Sequence, residues 1–221
     1  KRSLRTGALL DTLQLPGGVV MGPPVARGDT LAAALDENGL CTVRISTFEM
    51  LWCRTIPGLR MVGHASPTIV DGLLLVSGPG KLRAASPSYF ATLPFKQQLS
   101  LLWNAFGPED GYVGQQVRAF DLQDGTPRWS TPFFPPDEVG VEGHSAGTAV
   151  IAGNLGLIVL PFSDVLVAFE VETGAIRWTA EAHHGRGVPL VIDGDVFIAG
   201  RDGVIETRDL ETGALHCTIS R

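Results

Sequence analysis

The sequence has little positive charge and no long apolar stretch. Its 221 residues include 17 lysines and arginines against 23 acidic residues, which gives a formal net charge of −6. A stripe of basic residues, the usual footprint of a nucleic-acid-binding surface, is missing. No stretch approaches the ~18 consecutive apolar residues of a membrane-spanning helix. The sequence therefore predicts neither a nucleic-acid partner nor a membrane span.

Cysteine is also scarce. The three cysteines are Cys41, Cys53 and Cys217. Structural zinc sites use cysteines or histidines in closely spaced pairs, and these positions do not provide them. We therefore expect buried free thiols and no bound metal.

What the chain does contain is a segment that nearly repeats itself. Residues 119–129 read AFDLQDGTPRW, residues 168–178 read AFEVETGAIRW, and residues 207–217 read TRDLETGALHC. Weaker copies lie at Thr6-Gly7 and at 47–52. A period of about 40 residues indicates stacked supersecondary units that pack only on their neighbours. The expected structural positions of the repeat are Trp52, Trp129, Trp178, Gly125, Gly174 and Gly213.

Each unit is predicted to form four short strands. In the last unit, apolar or β-branched runs alternate with Gly and Asp turns, which are hairpin signals. The pattern predicts an all-β fold, a β-propeller of four-stranded antiparallel blades with about four blades and one extra strand. A large flat side chain at the Trp position would fill the wedge between adjacent blades. A two-sheet sandwich is the alternative, although sandwiches rarely keep a fixed period.

One unit is much longer than the others, which places an insertion at 79–114. The predicted units are 1–15 (a last strand only), 16–58, 59–133, 143–182 and 183–221. Since both Thr6-Gly7 and Thr212-Gly213 carry the same outer strand, four units do not close a ring. We expect an open segment, roughly half of a seven- or eight-bladed ring, cut from a longer chain. Its partners would be the rest of its own propeller or a second copy.

The repeated pattern Ala-x-Asp-x-x-Thr-Gly-x-x-x-Trp resembles the quinoprotein-type repeat, also called the pyrroloquinoline-quinone-like (PQQ-like) repeat. The resemblance is strong over 119–129 and 168–178, fair over 207–217 and weak over 1–60. The family includes quinoprotein dehydrogenases, the propeller lipoprotein of outer-membrane assembly machinery, and accessory propellers on larger proteins. The resemblance implies a propeller in an extracytoplasmic location, either periplasmic or secreted.

Gly143–Gly147 matches Gly-x-Ser-x-Gly, the nucleophile elbow of hydrolases. The elbow requires a helix directly after the turn, whereas residues 148–153 read as the first strand of a blade. We therefore assign no catalytic residue.

Histidines recur just before the first strand of several units, on the rim where the insertion should also emerge. Within the insertion, Phe95, Leu99, Leu102 and Phe106 recur at helical spacing, which predicts a short amphipathic helix. This helix would lie as a lid over the rim or would only shield blade edges. The candidate binding rim comprises His64, His144, His183, His184, Phe95, Trp103 and Phe106. The unequal offsets of the histidines favour solvated loop residues over a metal site.

The dehydrogenases of the family use adjacent cysteines, an acidic calcium site and a catalytic aspartate. No adjacent cysteines occur here, and no acidic calcium set maps onto this sequence, so we expect no cofactor. The expected function is a non-catalytic interaction or recognition platform for a protein or small-molecule ligand. The alternatives are an accessory propeller of a larger enzyme, such as a calcineurin-like metallophosphoesterase or a protein kinase, and a quinoprotein oxidoreductase fragment.

Overall fold

The computed structural model describes residues 1–16, 20, 22–35, 39–56, 66–79, 95, 98, 115–131, 147–160, 164–182, 187–200 and 203–220. These residues form sixteen strands in four separate sheets, each a four-stranded antiparallel meander in chain order. Among the described residues only Phe95 and Gln98 are helical. The predicted all-β fold of four-stranded blades is confirmed.

We number the blades in chain order. Blade 1 consists of β1 (Val25–Arg27), β2 (Thr30–Ala34), β3 (Gly39–Arg44) and β4 (Glu49–Thr55). Blade 2 consists of β5 (Thr68–Val70), β6 (Leu73–Pro79), β7 (Gln115–Asp121) and β8 (Pro127–Ser130). Blade 3 consists of β9 (Val150–Ala152), β10 (Leu155–Leu160), β11 (Val165–Glu170) and β12 (Ile176–Glu181). Blade 4 consists of β13 (Leu190–Ile192), β14 (Asp195–Ala199), β15 (Ile205–Asp209) and β16 (Leu215–Ile219).

The first hairpin of a blade closes with two residues. In blade 4 these are Asp193 and Gly194, whose φ angles are 51° and 87°. Positive φ at both central residues matches the right-handed twist of the flanking strands, and Asp-Gly adopts it at low cost. Asp71 and Gly72 close the same hairpin in blade 2, with φ angles of 44° and 78°.

A β-bulge recurs between the third and fourth strands of every blade. In blade 3 the register shifts between Ala168 and Phe169, and the extra residue on the outer strand is Arg177. The same shift occurs in the other three blades. Because a bulge re-aims the residue it inserts, the side chain just before each Trp position is separated from the regular alternation of the strand.

Neighbouring blades share apolar cores. One cluster joins Leu40 and Trp52 of blade 1 to Leu74 and Phe120 of blade 2. Two further clusters join blade 2 to blade 3 and blade 3 to blade 4. The first strands also approach one another, β1 beside β5 and β9 beside β13. The sheets therefore stack face to face with their first strands toward the same side, as in a propeller.

Strands β6 and β7 stay paired up to Pro79 and Gln115, so the segment 80–114 emerges between the second and third strands of blade 2. The N-terminal residues carry less regular pairing. Within residues 1–16 the bridge Arg2↔Leu9 spans a turn in which Gly7 has a φ of 69°. This pairing is shorter than the full strand that the repeat predicts over 1–15.

Candidate functional site

Most of the predicted rim lies outside the described residues. This applies to His64, His144, His183, His184, Trp103 and Phe106. Phe95 is described. Its backbone is helical, and the residue is 76% exposed. In the described part of the chain, no group of three His, Cys, Asp or Glu side chains is placed to hold a metal ion. No described helix is both long and apolar enough to cross a bilayer.

The repeat tryptophans link each blade to the next. Trp52 on β4 donates its indole N–H to the Leu122 carbonyl of blade 2 at 2.9 Å. Trp129 on β8 donates to Val171 of blade 3 at 3.1 Å, in the same position of the repeat. Trp178 on β12 donates to Leu210 of blade 4 at 3.0 Å. We call these three contacts the Trp–Gly staples, because each indole ring also covers a glycine.

The glycine of each staple serves two purposes. Gly125, Gly174 and Gly213 have φ angles of 71°, 72° and 72°, a region that L side chains rarely adopt. A methyl group on Gly125 would lie 2.8 Å from Trp52 Cε3, and one on Gly213 would lie 2.5 Å from Trp178 Cε3. The turn thus needs glycine both for its backbone and for the indole that rests on it.

The acidic and threonine positions of the repeat build the turn that carries this glycine. In blade 4, Asp209 Oδ1 accepts hydrogen bonds from the Thr212 backbone N–H at 2.8 Å and from its hydroxyl at 2.7 Å. These hydrogen bonds, above all the one from the Thr212 hydroxyl, lower the pKa of Asp209 below its ordinary value of 3.8. The Asp-x-x-Thr-Gly pattern is therefore a self-bonded turn that positions glycine for the staple.

The expectation of buried free thiols is wrong. Cys41 and Cys53 form a disulfide, and Cys217 is free but exposed. The reason is the register of blade 1, because Cys41 on β3 lies directly opposite Cys53 on β4. Two residues that lie directly opposite each other on antiparallel strands have their Cβ atoms close enough for their sulfur atoms to form a disulfide. The sequence did not show that these two positions face each other.

Gly147, the last residue of the Gly-x-Ser-x-Gly match, leads into a strand. β9 begins at Val150, so the chain continues from Gly147 into a strand and not into a helix. Its carbonyl instead accepts a hydrogen bond from the Ser77 hydroxyl of blade 2. The strand–turn–helix geometry of a nucleophile elbow is therefore not present at this position.

Sequence reasoning missed a buried ion pair in blade 4. Arg208 Nη2 lies 2.8 Å from Glu206 Oε2, with the two side chains only 9% and 5% exposed. Arg208 also donates to the Gly213 carbonyl at 3.1 Å and to the Glu181 carbonyl of blade 3 at 2.9 Å. The sequence did contain a signal for this pair. Arg208 is a charged residue at the repeat position where blades 2 and 3 have Phe120 and Phe169.

Comparison with known proteins gives a family profile that matches part of the chain and a fold that matches nearly all of it. Residues 111–216, a range that begins shortly before the third strand of blade 2 and ends in the last strand of blade 4, match a family profile described as outer membrane protein assembly factor BamB. A comparison with curated proteins gives no match.

Among solved structures, BamB from Moraxella catarrhalis is similar at 16% identity and a TM-score of 0.67, over 99% of this chain and 57% of that one. The computationally designed protein Ika4 is similar at 11% identity and a TM-score of 0.61, over 93% of this chain and 99% of that one. A quinohemoprotein alcohol dehydrogenase from Pseudomonas putida HK5 is similar at 15% identity and a TM-score of 0.55, over 89% of this chain and 34% of that one. This chain therefore spans little more than half of the BamB structure and a third of the dehydrogenase. Residues 111–216 thus match a PQQ-like repeat family, and the solved structures share the β-propeller fold of this chain.

Proposed function

We propose that this chain is a non-catalytic PQQ-like propeller segment that serves as a platform for protein interaction. The observation that carries the proposal is the match of residues 111–216 to a family described as an outer membrane protein assembly factor. The blades support such a role, because their short strands and Trp–Gly staples make a rigid scaffold on which loops can present contacts. The proposed contact surface is the rim that carries the four predicted histidines and Phe95.

We further propose that the segment is part of a larger ring, continued past blade 4 by another blade of the same propeller. The forward face of blade 4 supports this. Leu190, Phe197, Thr207 and Cys217 lie opposite one another across its four strands, and Ile205 and Ile219 form the adjoining row. Leu190, Ile205 and Ile219 are 57%, 40% and 56% exposed.

The equivalent face of blade 3 is fully covered. Its rows contain Leu157 and Ala168, and Val159 and Leu166, all of which are at most 1% exposed. They pack on Val196 and Ile198 of blade 4. An exposed apolar face in the same position of the next sheet is what a further blade would cover.

A mass measurement tests this proposal. Sedimentation of the isolated chain should give about 23.5 kDa, and a hydrophobic dye should bind to it. The double change Leu190→Ser and Ile219→Ser should reduce dye binding, whereas Met50→Ser on blade 1 should not. A stable species of twice that mass, abolished by the double change, would show a second copy on this face and contradict the proposal.

We propose an extracytoplasmic location. The family description and the Cys41–Cys53 disulfide support it, because disulfides persist mainly in oxidising compartments. Labelling of thiols in intact cells, before and after reduction, should show these two cysteines oxidised. If both cysteines were labelled without reduction, the location would be wrong.

The platform proposal is tested by site-specific photocrosslinking in the native host. A crosslinker at Phe95 should trap one discrete partner, and excess unlabelled chain should compete it away. The same crosslinker at Met50, which is 45% exposed on blade 1, should trap none. Equal capture at both positions would contradict a rim-specific platform.

A second experiment addresses the enzymatic alternative raised by the dehydrogenase neighbour. Reconstitution with the quinone and calcium should give no stoichiometric absorbance band. A saturable band at one quinone per chain would replace the platform by a quinoprotein function.

A further inference from the structure

The first residues of the chain reproduce the outer turn of blade 4. Residues 1–11 read KRSLRTGALLD and residues 207–217 read TRDLETGALHC, with Arg, Leu, Thr, Gly, Ala and Leu at matching positions. Arg2 pairs with Leu9, as Arg208 pairs with Leu215. We call residues 1–11 the N-terminal hairpin, and it corresponds to the turn between the third and fourth strands of a blade.

The two turns also share their hydrogen bonds. The Gly7 N–H donates at 2.8 Å to the carbonyl four residues before it, and the Gly213 N–H does the same at 2.9 Å. Arg2 Nη1 donates to the Gly7 carbonyl at 2.9 Å, and Arg208 Nη1 donates to the Gly213 carbonyl at 3.1 Å. The φ angles of the two glycines are 69° and 72°. The N-terminal hairpin therefore has the shape that receives an indole in blade 4.

The difference between the two turns is the cover over the glycine. In blade 4, Trp178 of the preceding blade lies over Gly213 and donates its indole N–H to the Leu210 carbonyl. In the N-terminal hairpin, nothing in the described part of the chain lies within 4 Å of a methyl group added to Gly7. Leu4, which has the position of Leu210, is fully exposed. The N-terminal hairpin thus presents the acceptor half of a Trp–Gly staple without its tryptophan.

Backbone conformation alone does not account for this glycine. Phe48 has the same repeat position in blade 1, with a φ of 58°, so the turn accepts a side chain there. The unit before blade 1 is the N-terminal hairpin, and its residue at the Trp position is Asp11. By contrast, a tryptophan of the preceding blade covers the glycine in each of the three staples, at Gly125, Gly174 and Gly213. In this repeat, glycine at the turn accompanies a tryptophan in the unit before it.

We propose that the N-terminal hairpin binds a tryptophan-bearing outer strand of a further blade. The indole of that strand covers Gly7 and donates its N–H to the Leu4 carbonyl, as in the three staples. The strand comes from protein sequence outside these 221 residues, because the three repeat tryptophans already cover a glycine each. The fourth tryptophan, Trp103, belongs to the insertion and to no copy of the repeat.

A second copy of this chain does not supply the missing half of the staple. The blade with an uncovered forward face is blade 4, and blade 4 has Cys217 at the Trp position. A thiol has neither the flat ring nor the indole N–H that the staple uses. This inference rests on the proposed larger ring, and it names the chemistry of the strand that joins the ring ahead of blade 1.

Site-specific photocrosslinking of the native protein in its host tests this docking. The crosslinker p-benzoylphenylalanine is placed at Arg5, which follows Leu4 and is exposed. Mass spectrometry then identifies the captured peptide, which should come from a further copy of the repeat and should contain tryptophan. The positive control is the same crosslinker at Glu211, the equivalent position in blade 4. That crosslinker should capture the peptide that contains Trp178.

Two glycine variants provide a matched comparison. Gly7→Ala places a methyl group under the incoming indole and should lower the capture at Arg5 about tenfold, in line with loss of one ring contact and one hydrogen bond. Gly28 has a φ of 59° and likewise has nothing within 4 Å of an added methyl group, but it belongs to the first hairpin of blade 1. Gly28→Ala should leave the capture unchanged, and thermal melts should show both variants folded.

Four results would overturn the proposal. The first is a captured peptide without tryptophan, and the second is capture of blade 4, from the same chain or from a second copy. The third is no capture at Arg5 when Glu211 captures its expected peptide, and the fourth is equal capture in the two glycine variants. The crosslinking at Phe95 and the mass and dye measurements on blade 4 are independent of these results. Failure of this docking is therefore distinguishable from failure of the platform and of the larger ring.

Discussion

Replacing the staple glycine of blade 3 should destabilise the protein more than replacing a hairpin glycine in the same blade. Gly174 has a φ of 72°, and a methyl group there would lie 2.7 Å from Trp129 Cδ2. Gly153 has a φ of 62°, and nothing lies within 4 Å of a methyl group at that position. The two alanine variants therefore share the backbone cost and differ in the contact with the indole.

The magnitudes follow from these two terms. The left-handed backbone costs an alanine about 1–2 kcal/mol, which is the full expected effect of Gly153→Ala. In Gly174→Ala the indole must also move, which weakens its 3.1 Å hydrogen bond to Val171 and its edge contact with Phe169 at 5.6 Å. Those losses add about 1–2 kcal/mol, so Gly174→Ala should cost about 2–4 kcal/mol in total.

Urea unfolding followed by fluorescence and circular dichroism would measure both variants, with coincident transitions as the condition for comparing free energies. A double-mutant cycle sharpens the result. In a Trp129→Ala background, Gly174→Ala should cost no more than Gly153→Ala, because the indole contact is already gone. Equal effects of the two glycine changes in the wild-type background would refute the staple.

The remaining predictions concern bonds within single blades. Cys41→Ser should lower stability by about 3 kcal/mol from the loss of a short cross-link, and reduction of the wild type should match it, whereas Cys217→Ser should have no effect in thermal melts. Arg208→Met should cost about 3–5 kcal/mol in urea unfolding because it removes the cation that faces the buried carboxylate of Glu206, and an effect below about 1 kcal/mol would contradict the buried pair. The lowered pKa of Asp209 stabilises the fold above its unfolded value of 3.8, and that contribution is lost as the pH falls through the folded pKa. Asp209→Asn should therefore flatten the acid side of the melting-temperature profile, and an unchanged profile would contradict the turn.

The sequence was sufficient to predict the blade architecture because each blade repeats the same short-range turns and hairpins. The Asp-Gly hairpins, the Thr-Gly turns and the outer-strand tryptophans depend on near neighbours in the chain, so their pattern can be read directly. The copy in blade 1 was weak for a visible reason. Phe48, with a φ of 58°, stands where the other blades have the staple glycine.

The features that sequence did not reveal depend on which residues face one another. Cys41 and Cys53 meet only through the register of β3 and β4. Arg54 and Arg118 come together only where two blades diverge, although they are far apart in the chain. A repeat alignment shows that Arg118 and Arg208 depart from the apolar pattern, but it does not show which groups each side chain contacts.

The central claim is that successive sheets are blades of one propeller, joined in order by the Trp–Gly staples. Nuclear Overhauser effects from the indole N–H and ring protons of the repeat tryptophans test it most directly. The expected contacts are Trp52 with Gly125, Trp129 with Gly174, and Trp178 with Gly213. Indole contacts confined to each tryptophan's own sheet, with none to the glycine of the next blade, would contradict the account.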